Sequence, residues 1–239
     1  MSTPLPPQQP AVAGAAPFRG LERPARLVVV LVCCAAFADL VSLPIELRLA
    51  EFYGAVEAGE YSQEEATRSA EAIDAFSFPV TIAEGVAFLV AGIAYIVWFR
   101  RARANLPRLG AVELPPGTGW AVAAWIIPLV SLVMPKVIHD EIWRASDPDL
   151  PWPAQRAVWD RVRVPVLHHV WWAAFVVGSL LETIGGRLTG ADDLGTARIG
   201  VLMWAAASLV FLLAAALVVS IVLAVTARQR ARAARSPWP

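Results

Sequence analysis

Residues 199–227, IGVLMWAAASLVFLLAAALVVSIVLAVTA, decide the fold of this chain. These 29 residues contain no charged side chain and lie between Arg198 and Arg228. A helix rises about 1.5 Å per residue, so the run reaches about 43 Å and exceeds the roughly 30 Å of hydrocarbon in a bilayer. Backbone groups find no water partners in hydrocarbon, so the run is predicted to be a membrane-spanning helix.

Three further apolar runs belong to the same length class. They lie at about 27–47, 77–99 and 164–186, and each is flanked by charged residues. The composition agrees, because 57% of the 239 residues are hydrophobic and soluble domains are about 45–50% apolar. The formal net charge is zero, which gives no argument for nucleic-acid binding. We therefore predict an all-α polytopic membrane bundle with four spanning helices in a membrane domain of residues 26–227.

The apolar segment at about 118–135 differs from the other four. Pro128 stands in its middle, where a proline interrupts the hydrogen bonds of a helix, and Pro135 closes it. The unbroken part is too short to cross the bilayer, so we predict a re-entrant or half-inserted element that enters and leaves on one side. The stretch at about 136–146 is predicted to follow as an amphipathic helix on the cytoplasmic face.

The distribution of basic residues tests this topology. With four spans, 16 of the 20 lysine and arginine residues lie on the side that carries both chain ends, and 4 lie on the other side. If the segment at 118–135 also spanned, the split would be 9 against 11. Cytoplasmic loops carry the excess of basic residues, so both termini are predicted to be cytoplasmic. The abundance of alanine, proline and arginine is typical of GC-rich bacteria, so the bacterial plasma membrane is the expected location.

Three polar segments are predicted outside the bilayer. Residues 1–25 are rich in proline and small residues, and they are predicted to be a disordered cytoplasmic tail because they cannot bury enough apolar surface to fold. Residues 228–239 are predicted to be a basic cytoplasmic tail. Ser62 and Glu65 fit a capping box, which predicts a short extracytoplasmic acidic helix over about 62–75. The basic cytoplasmic loops are expected to attract anionic lipid headgroups.

Four acidic residues lie within the predicted spans: Asp39, Glu46, Glu84 and Glu182. A charged side chain there costs roughly 2.5–3.5 kcal/mol on insertion scales, so each is a candidate functional residue. The first two are seven residues apart and share one helix face, and flanking charges put Asp39 and Glu84 at similar depth.

Two interpretations of these acids stay open. The acids form a site for a proton, a cation or a small polar ligand in the outer half of the bundle, or they are structural. Structural acids would bond between helices or pair with Arg48, Arg187 and Arg198.

Aromatic and imidazole side chains cluster near the predicted cytoplasmic boundary. His168 and His169 begin the fourth span, but neighbours on a helix point about 100° apart and do not chelate one metal ion well, so no metal site is predicted. No nucleophile–base pair and no nucleotide-binding motif is present, so no catalytic residue and no cofactor are predicted, and the interpretation leans away from an enzyme. The tryptophans are predicted to be interfacial anchors: Trp98, Trp120, Trp143, Trp171 and Trp172.

The order of motifs from Trp98 onward carries a resemblance to a known family. WFRRARANLPRLGA at 98–111 is followed by GWAVAAWIIPLVSLVMP at 119–135, IWRASDP at 142–148 and the pair Trp171-Trp172. This order resembles the bacterial multi-pass membrane family called domain of unknown function 4328. The resemblance implies several spans and a proline-rich N-terminal tail, and it supplies no activity, substrate or cofactor. The family often has asparagine where this chain has Ser131, which implies a weaker cap on the broken helix.

Two functional hypotheses follow from these observations. The first is a non-enzymatic membrane scaffold that interacts with lipid or with other proteins through its tail and basic loops. The alternative is a small transporter or channel that uses the acidic cluster. A cavity that joins Asp39 and Glu84 to the break at Pro128 would favour transport, and a tightly packed bundle with the acids bridged to arginines would favour the scaffold.

Overall fold

The computed structural model describes residues 18–114, 119–127 and 129–237, and within these ranges the chain is helical and contains no strand. Three of its helices, α1, α2 and α7, are long and apolar enough to cross a membrane, which indicates a membrane location. The all-helical prediction is confirmed. The helices are α1 (Glu22–Glu57), α2 (Gln63–Asn105), α3 (Trp120–Ile126), α4 (Met134–Ala145), α5 (Arg156–Trp159), α6 (Val166–Leu188) and α7 (Leu194–Ala233).

Helix α2 corrects a predicted boundary. The sequence predicts separate helices at about 62–75 and 77–99, but one helix runs without interruption from Gln63 to Asn105. The predicted capping box does begin it, since Ser62 Oγ accepts the N–H of Glu65 and the Glu65 carboxylate accepts the N–H of Ser62. Alanine and glutamate follow, with no glycine or proline before Pro79, so each added residue extends the helix by one hydrogen bond. Helix α1 is likewise longer at both ends than the predicted 27–47, and it begins inside the predicted tail.

Hydrogen bonds define which helix ends meet. The N–H of Arg19, just before α1, donates to Asn105 Oδ1 at the end of α2, and Asn105 Nδ2 donates to Gln229 Oε1 near the end of α7. We call this the Asn105 end of the bundle. At the opposite end, which we call the Glu57 end, the guanidinium of Arg198 at the start of α7 lies against Gly54 of α1. Both chain ends of the described bundle therefore lie on one side.

Helices α6 and α7 lie antiparallel and in close contact. A Cβ atom placed on Gly200 of α7 would lie 2.7 Å from the carbonyl oxygen of Gly185 in α6 and 2.6 Å from the backbone nitrogen of Thr189. Phe211 packs in the same way over Gly178. Small residues at such positions let helix backbones approach closely, which is how apolar helices gain packing energy inside a membrane.

The described residues between α2 and α6 form short helices rather than one long helix, as the prolines of this segment predict. After α3 ends at Ile126, Leu129 has a positive φ of 65°, and Ser131 lies in a single 3-10 turn over Val130–Leu132. Pro135 stands in the first turn of α4, where a missing N–H costs no hydrogen bond, so it begins a helix and does not close the segment. Outside the described ranges lie Pro128, residues 1–17 of the predicted tail, residues 115–118 and residues 238–239.

Helix α4 covers Met134–Ala145, close to the predicted amphipathic stretch at 136–146. Its inner face combines the apolar residue Ile142 with two polar residues, His139 and Glu141, and all three are buried. Glu141 forms an ion pair with Arg103 of α2 at 3.2 Å. The helix is therefore packed against the protein through a partly polar face, which a simple apolar stripe would not predict.

Candidate functional site

The four acids singled out by sequence analysis converge on one place in the bundle. Asp39 and Glu46 come from α1, Glu84 from α2 and Glu182 from α6. The carboxyl group of Asp39 lies close enough to that of Glu84 for the two to interact, and the charges of Glu46 and Glu182 also act on Asp39. Three helices thus contribute four acids to one acidic cluster.

Two buried serine hydroxyls belong to this acidic cluster. Ser42 Oγ donates to Glu84 Oε2 at 2.6 Å, and Ser208 Oγ of α7 donates to Glu46 Oε2 at 3.2 Å. Sequence analysis missed both, because serine is common in membrane helices. One signal was available for Ser42, since positions 39, 42 and 46 follow the i, i+3, i+7 spacing that lines one helix face.

The expected basic partners of the acids are not used. Arg48, Arg187 and Arg198 all lie in the described part of the chain, and none of them forms an ion pair with any of the four acids. Glu84 and Glu46 accept hydrogen bonds from serine hydroxyls instead. Neighbouring carboxyl groups repel when both are ionised, so a shared proton or a bound cation would stabilise the acidic cluster.

A cavity of about 270 Å³ lies beside Asp39. It reaches from α1 across the bundle to Trp125 of α3, the short helix that ends just before Pro128. Asp39 is the only charged residue among its described lining residues. Tyr95 and Trp125 also line it, and their buried Oη and Nε1 atoms have no hydrogen-bond partner among the residues that the structure covers. The space is thus mostly apolar, with one carboxylic acid among its described lining residues.

A second polar group, the histidine pair, lies at the Asn105 end. The Nδ1 atoms of His139 in α4 and His168 in α6 are 3.2 Å apart, and both rings are fully buried. Burial lowers the pKa of His139 well below its ordinary value of 6.5, and the nearby charges of His168 and Lys136 lower it further. Sequence analysis considered only neighbouring His168 and His169, and a separation of 29 residues gives no helical spacing to recognise.

Asp140 completes a set of three potential metal ligands with the histidine pair. The ligand atoms of the three side chains lie within 4.8 Å of one another, a grouping that would suit a metal ion. The Lys136 ammonium already holds the Asp140 carboxylate at 2.6 Å and would compete for it. The three side chains thus offer ligand atoms that suit a metal ion, but the ammonium of Lys136 already places a positive charge beside them.

Three of the five tryptophans predicted to be interfacial anchors lie inside the protein. Trp98 is 0% exposed and donates from Nε1 to Thr226 Oγ1 at 3.2 Å, and Trp171 and Trp172 are buried. A headgroup anchor needs a ring on the lipid-facing surface, so these three side chains serve the packing of the bundle. Trp120 is 46% exposed, and Trp143 is partly exposed beneath the guanidinium of Arg228, 4.0 Å from its ring centroid.

The first half of the predicted basic tail, residues 228–233, is part of a helix. Helix α7 continues to Ala233, and Arg232 is 1% exposed. Its guanidinium donates to the backbone carbonyls of Leu109, Leu150 and Pro151, and also to that of Asp147. Arg232 is therefore not available to lipid headgroups. Five N–H donors in a planar fork make arginine suited to joining several carbonyls in this way.

Comparison with known proteins yields one match. A family model described as Domain of unknown function (DUF4328) matches residues 62–227. No curated protein and no solved structure matches the chain. The matched range contains Glu84, Glu182 and Ser208 of the acidic cluster, whereas α1, which carries Asp39, Ser42 and Glu46, precedes it.

Proposed function

Since the chain belongs to the family described as domain of unknown function (DUF4328), which carries no assigned activity, we propose a function from its geometry. The protein is a small membrane carrier that exchanges a proton for a cation at the acidic cluster. The observation that carries this proposal is the convergence of the four acids beside a cavity, where none of them forms an ion pair with Arg48, Arg187 or Arg198. The rival scaffold role would favour acids neutralised by arginines in a closed bundle.

A fourth span by α6 is part of the proposal. Its 23 residues reach about 34 Å, enough to cross the hydrocarbon. Trp143 contacts both His168 at the start of α6 and Arg228 near the end of α7. At the other end Gly185 lies against Gly200. This antiparallel contact supports α6 covering the same depth as α7.

Four spans agree with the charge distribution. The excess of basic residues lies towards the Asn105 end, which we assign to the cytoplasmic face of a bacterial plasma membrane. The segment from α3 to α4 begins and ends at that face and is proposed to be re-entrant. Non-helical backbone at membrane depth is tolerated where protein surrounds it or where it lines a cavity, and Trp125 of α3 lines one.

The proposed mechanism follows from charge balance inside the membrane. A bare carboxylate in hydrocarbon is costly, roughly 2.5–3.5 kcal/mol on insertion scales, so the acidic cluster stays closer to neutral by holding protons. A cation that enters the cavity replaces one proton of the Asp39–Glu84 pair, and the proton leaves to the aqueous side. Ser42 and Ser208 orient the glutamates, so that the acids meet the cation in a fixed arrangement.

Proton movement in proteoliposomes tests this function. Vesicles that contain the protein and a pH-sensitive dye are given gradients of Na⁺, K⁺ or an organic amine. We expect at least one cation gradient to drive protons in the opposite direction, and the flux to be lost in Asp39→Asn and in Glu84→Gln. Glu51→Gln is the matched control, because Glu51 lies on α1 but is exposed. Equal fluxes in all four proteins, or none in any of them, would leave the acidic cluster with a structural role only.

A further inference from the structure

We propose that the cavity beside Asp39 binds a lipophilic amine, meaning a molecule with an apolar or aromatic body and one protonated nitrogen. This inference names the cation of the proposed exchange and rests on that function for its transport consequence. The binding itself rests on the cavity alone. The lining combines rings from α2, α3, α6 and α7 with a single acid from α1.

The size and lining of the cavity select the body of the ligand. A volume of about 270 Å³ admits a molecule of small-ligand size. Phe88, Phe175 and Phe211 line it together with small residues such as Gly92 and Ala214, so an apolar body loses contact with water on entering. A hydrated inorganic ion would leave most of this apolar lining unused, which favours an organic cation.

Charge selects the head of the ligand. Asp39 is the one ionisable acid among the described lining residues, and no lysine or arginine stands among them, so an anion would meet only repulsion. An ammonium group placed at Asp39 forms an ion pair with its carboxylate, and the proton shared with Glu84 is released. One positive charge enters and one leaves, so the total charge inside the membrane is unchanged.

A pair of ligands with one shape tests the charge recognition. The full-length protein in lipid nanodiscs is titrated with 4-phenylbutylamine and with 4-phenylbutan-1-ol, and binding is followed by tryptophan fluorescence, with empty nanodiscs to subtract partitioning. We expect the amine to bind about tenfold tighter or more, because its ammonium group forms an ion pair with Asp39, whereas the alcohol can only donate a hydrogen bond. In Asp39→Asn the two affinities should become equal. Equal affinities in the unmodified protein would overturn the proposal.

Two glycines on α2 provide a matched test of the location. A Cβ atom would meet nothing within 4 Å at either Gly92, which lines the cavity, or Gly85, which is exposed and lies two turns earlier. Leucine is the better helix former at both positions, so neither substitution endangers folding. Gly92→Leu should fill the cavity and weaken the binding of both ligands by about tenfold or more, whereas Gly85→Leu should bind as the unmodified protein does. Unchanged binding in Gly92→Leu would place the ligand elsewhere.

The two proposals fail separately. If the amine does not bind but Na⁺ or K⁺ still drives an Asp39-dependent proton flux, only the ligand class is wrong. If the amine binds as expected but no cation gradient moves protons, the exchange function is wrong and the cavity remains a binding site.

Discussion

Replacement of Arg232 by alanine should destabilise the protein far more than replacement of its neighbour Arg230. The Arg232 guanidinium makes four hydrogen bonds to backbone carbonyls, at 2.7 to 3.2 Å, that join α7 to the loops at Leu109 and at 147–151. A hydrogen bond from a charged group contributes about 1.5–3 kcal/mol, and bonds that share one group are not additive, so we expect a loss of about 3–5 kcal/mol in the free energy of unfolding. For a chain of this size that corresponds to a fall in Tm of about 6–20 °C.

Thermal melts in one detergent, followed by circular dichroism, measure the effect. Arg230→Ala is the control, because Arg230 lies on the same helix but is exposed, and it should change Tm by no more than about 2 °C. Arg232→Lys should fall between the two, since lysine keeps the charge but lacks the planar fork of donors. If Arg232→Ala and Arg230→Ala melt together, the carbonyls are satisfied in another way and the reasoning is refuted.

Three further predictions concern other parts of the molecule. Gly200→Ala should lower Tm by a few degrees, because its Cβ would meet the backbones of Gly185 and Thr189. Gly186→Ala should leave Tm unchanged, because the nearest atom to its Cβ is 3.8 Å away, and a larger fall in Tm for Gly186→Ala than for Gly200→Ala would contradict the close α6–α7 contact. Stability should fall as pH drops below about 6.5, because the pKa of His139 is lowered in the folded protein, so the unfolded chain binds a proton that the folded chain does not. His139→Phe should therefore flatten the curve of Tm against pH, and an unchanged slope would show that His139 is not its cause. Ser62→Ala should lower the local stability of the first turn of α2 by about 0.5–2 kcal/mol, because it removes the helix cap. Amide hydrogen exchange at residues 63–66 should become faster with little change in Tm, and an unchanged exchange rate would argue against the cap.

The sequence predicts the helical class and the meeting of the acids for a physical reason. Hydrocarbon forces apolar runs into helices and makes every intramembrane charge costly, so the positions of Asp39, Glu46, Glu84 and Glu182 already constrain one another. Counting from flanking charges was sufficient to put Asp39 and Glu84 at one depth, and the structure brings their carboxyl groups close enough to interact.

Features that depend on contacts between distant segments escape such counting. His139 and His168 meet only because α4 folds back against α6, and Arg232 is buried only because the loop at 147–151 covers it. Trp98 was assigned to the lipid interface from its position beside Arg100, but Thr226 of α7 supplies its partner from 128 residues away. A single chain read along its length carries no signal for these pairings.

The length of the α1–α2 hairpin has a mechanical consequence. Helix α2 has 43 residues, and the 14 residues at 63–76, which precede the predicted span, are about 21 Å long. Pro44 of α1 and Pro79 of α2 lie within one or two turns of the Ser42–Glu84 hydrogen bond, and each leaves its helix one backbone bond short. These missing bonds make bending easier beside the acids than elsewhere in the two helices. A force or a bound molecule at the far end of the hairpin would therefore change the spacing of Ser42 and Glu84 first.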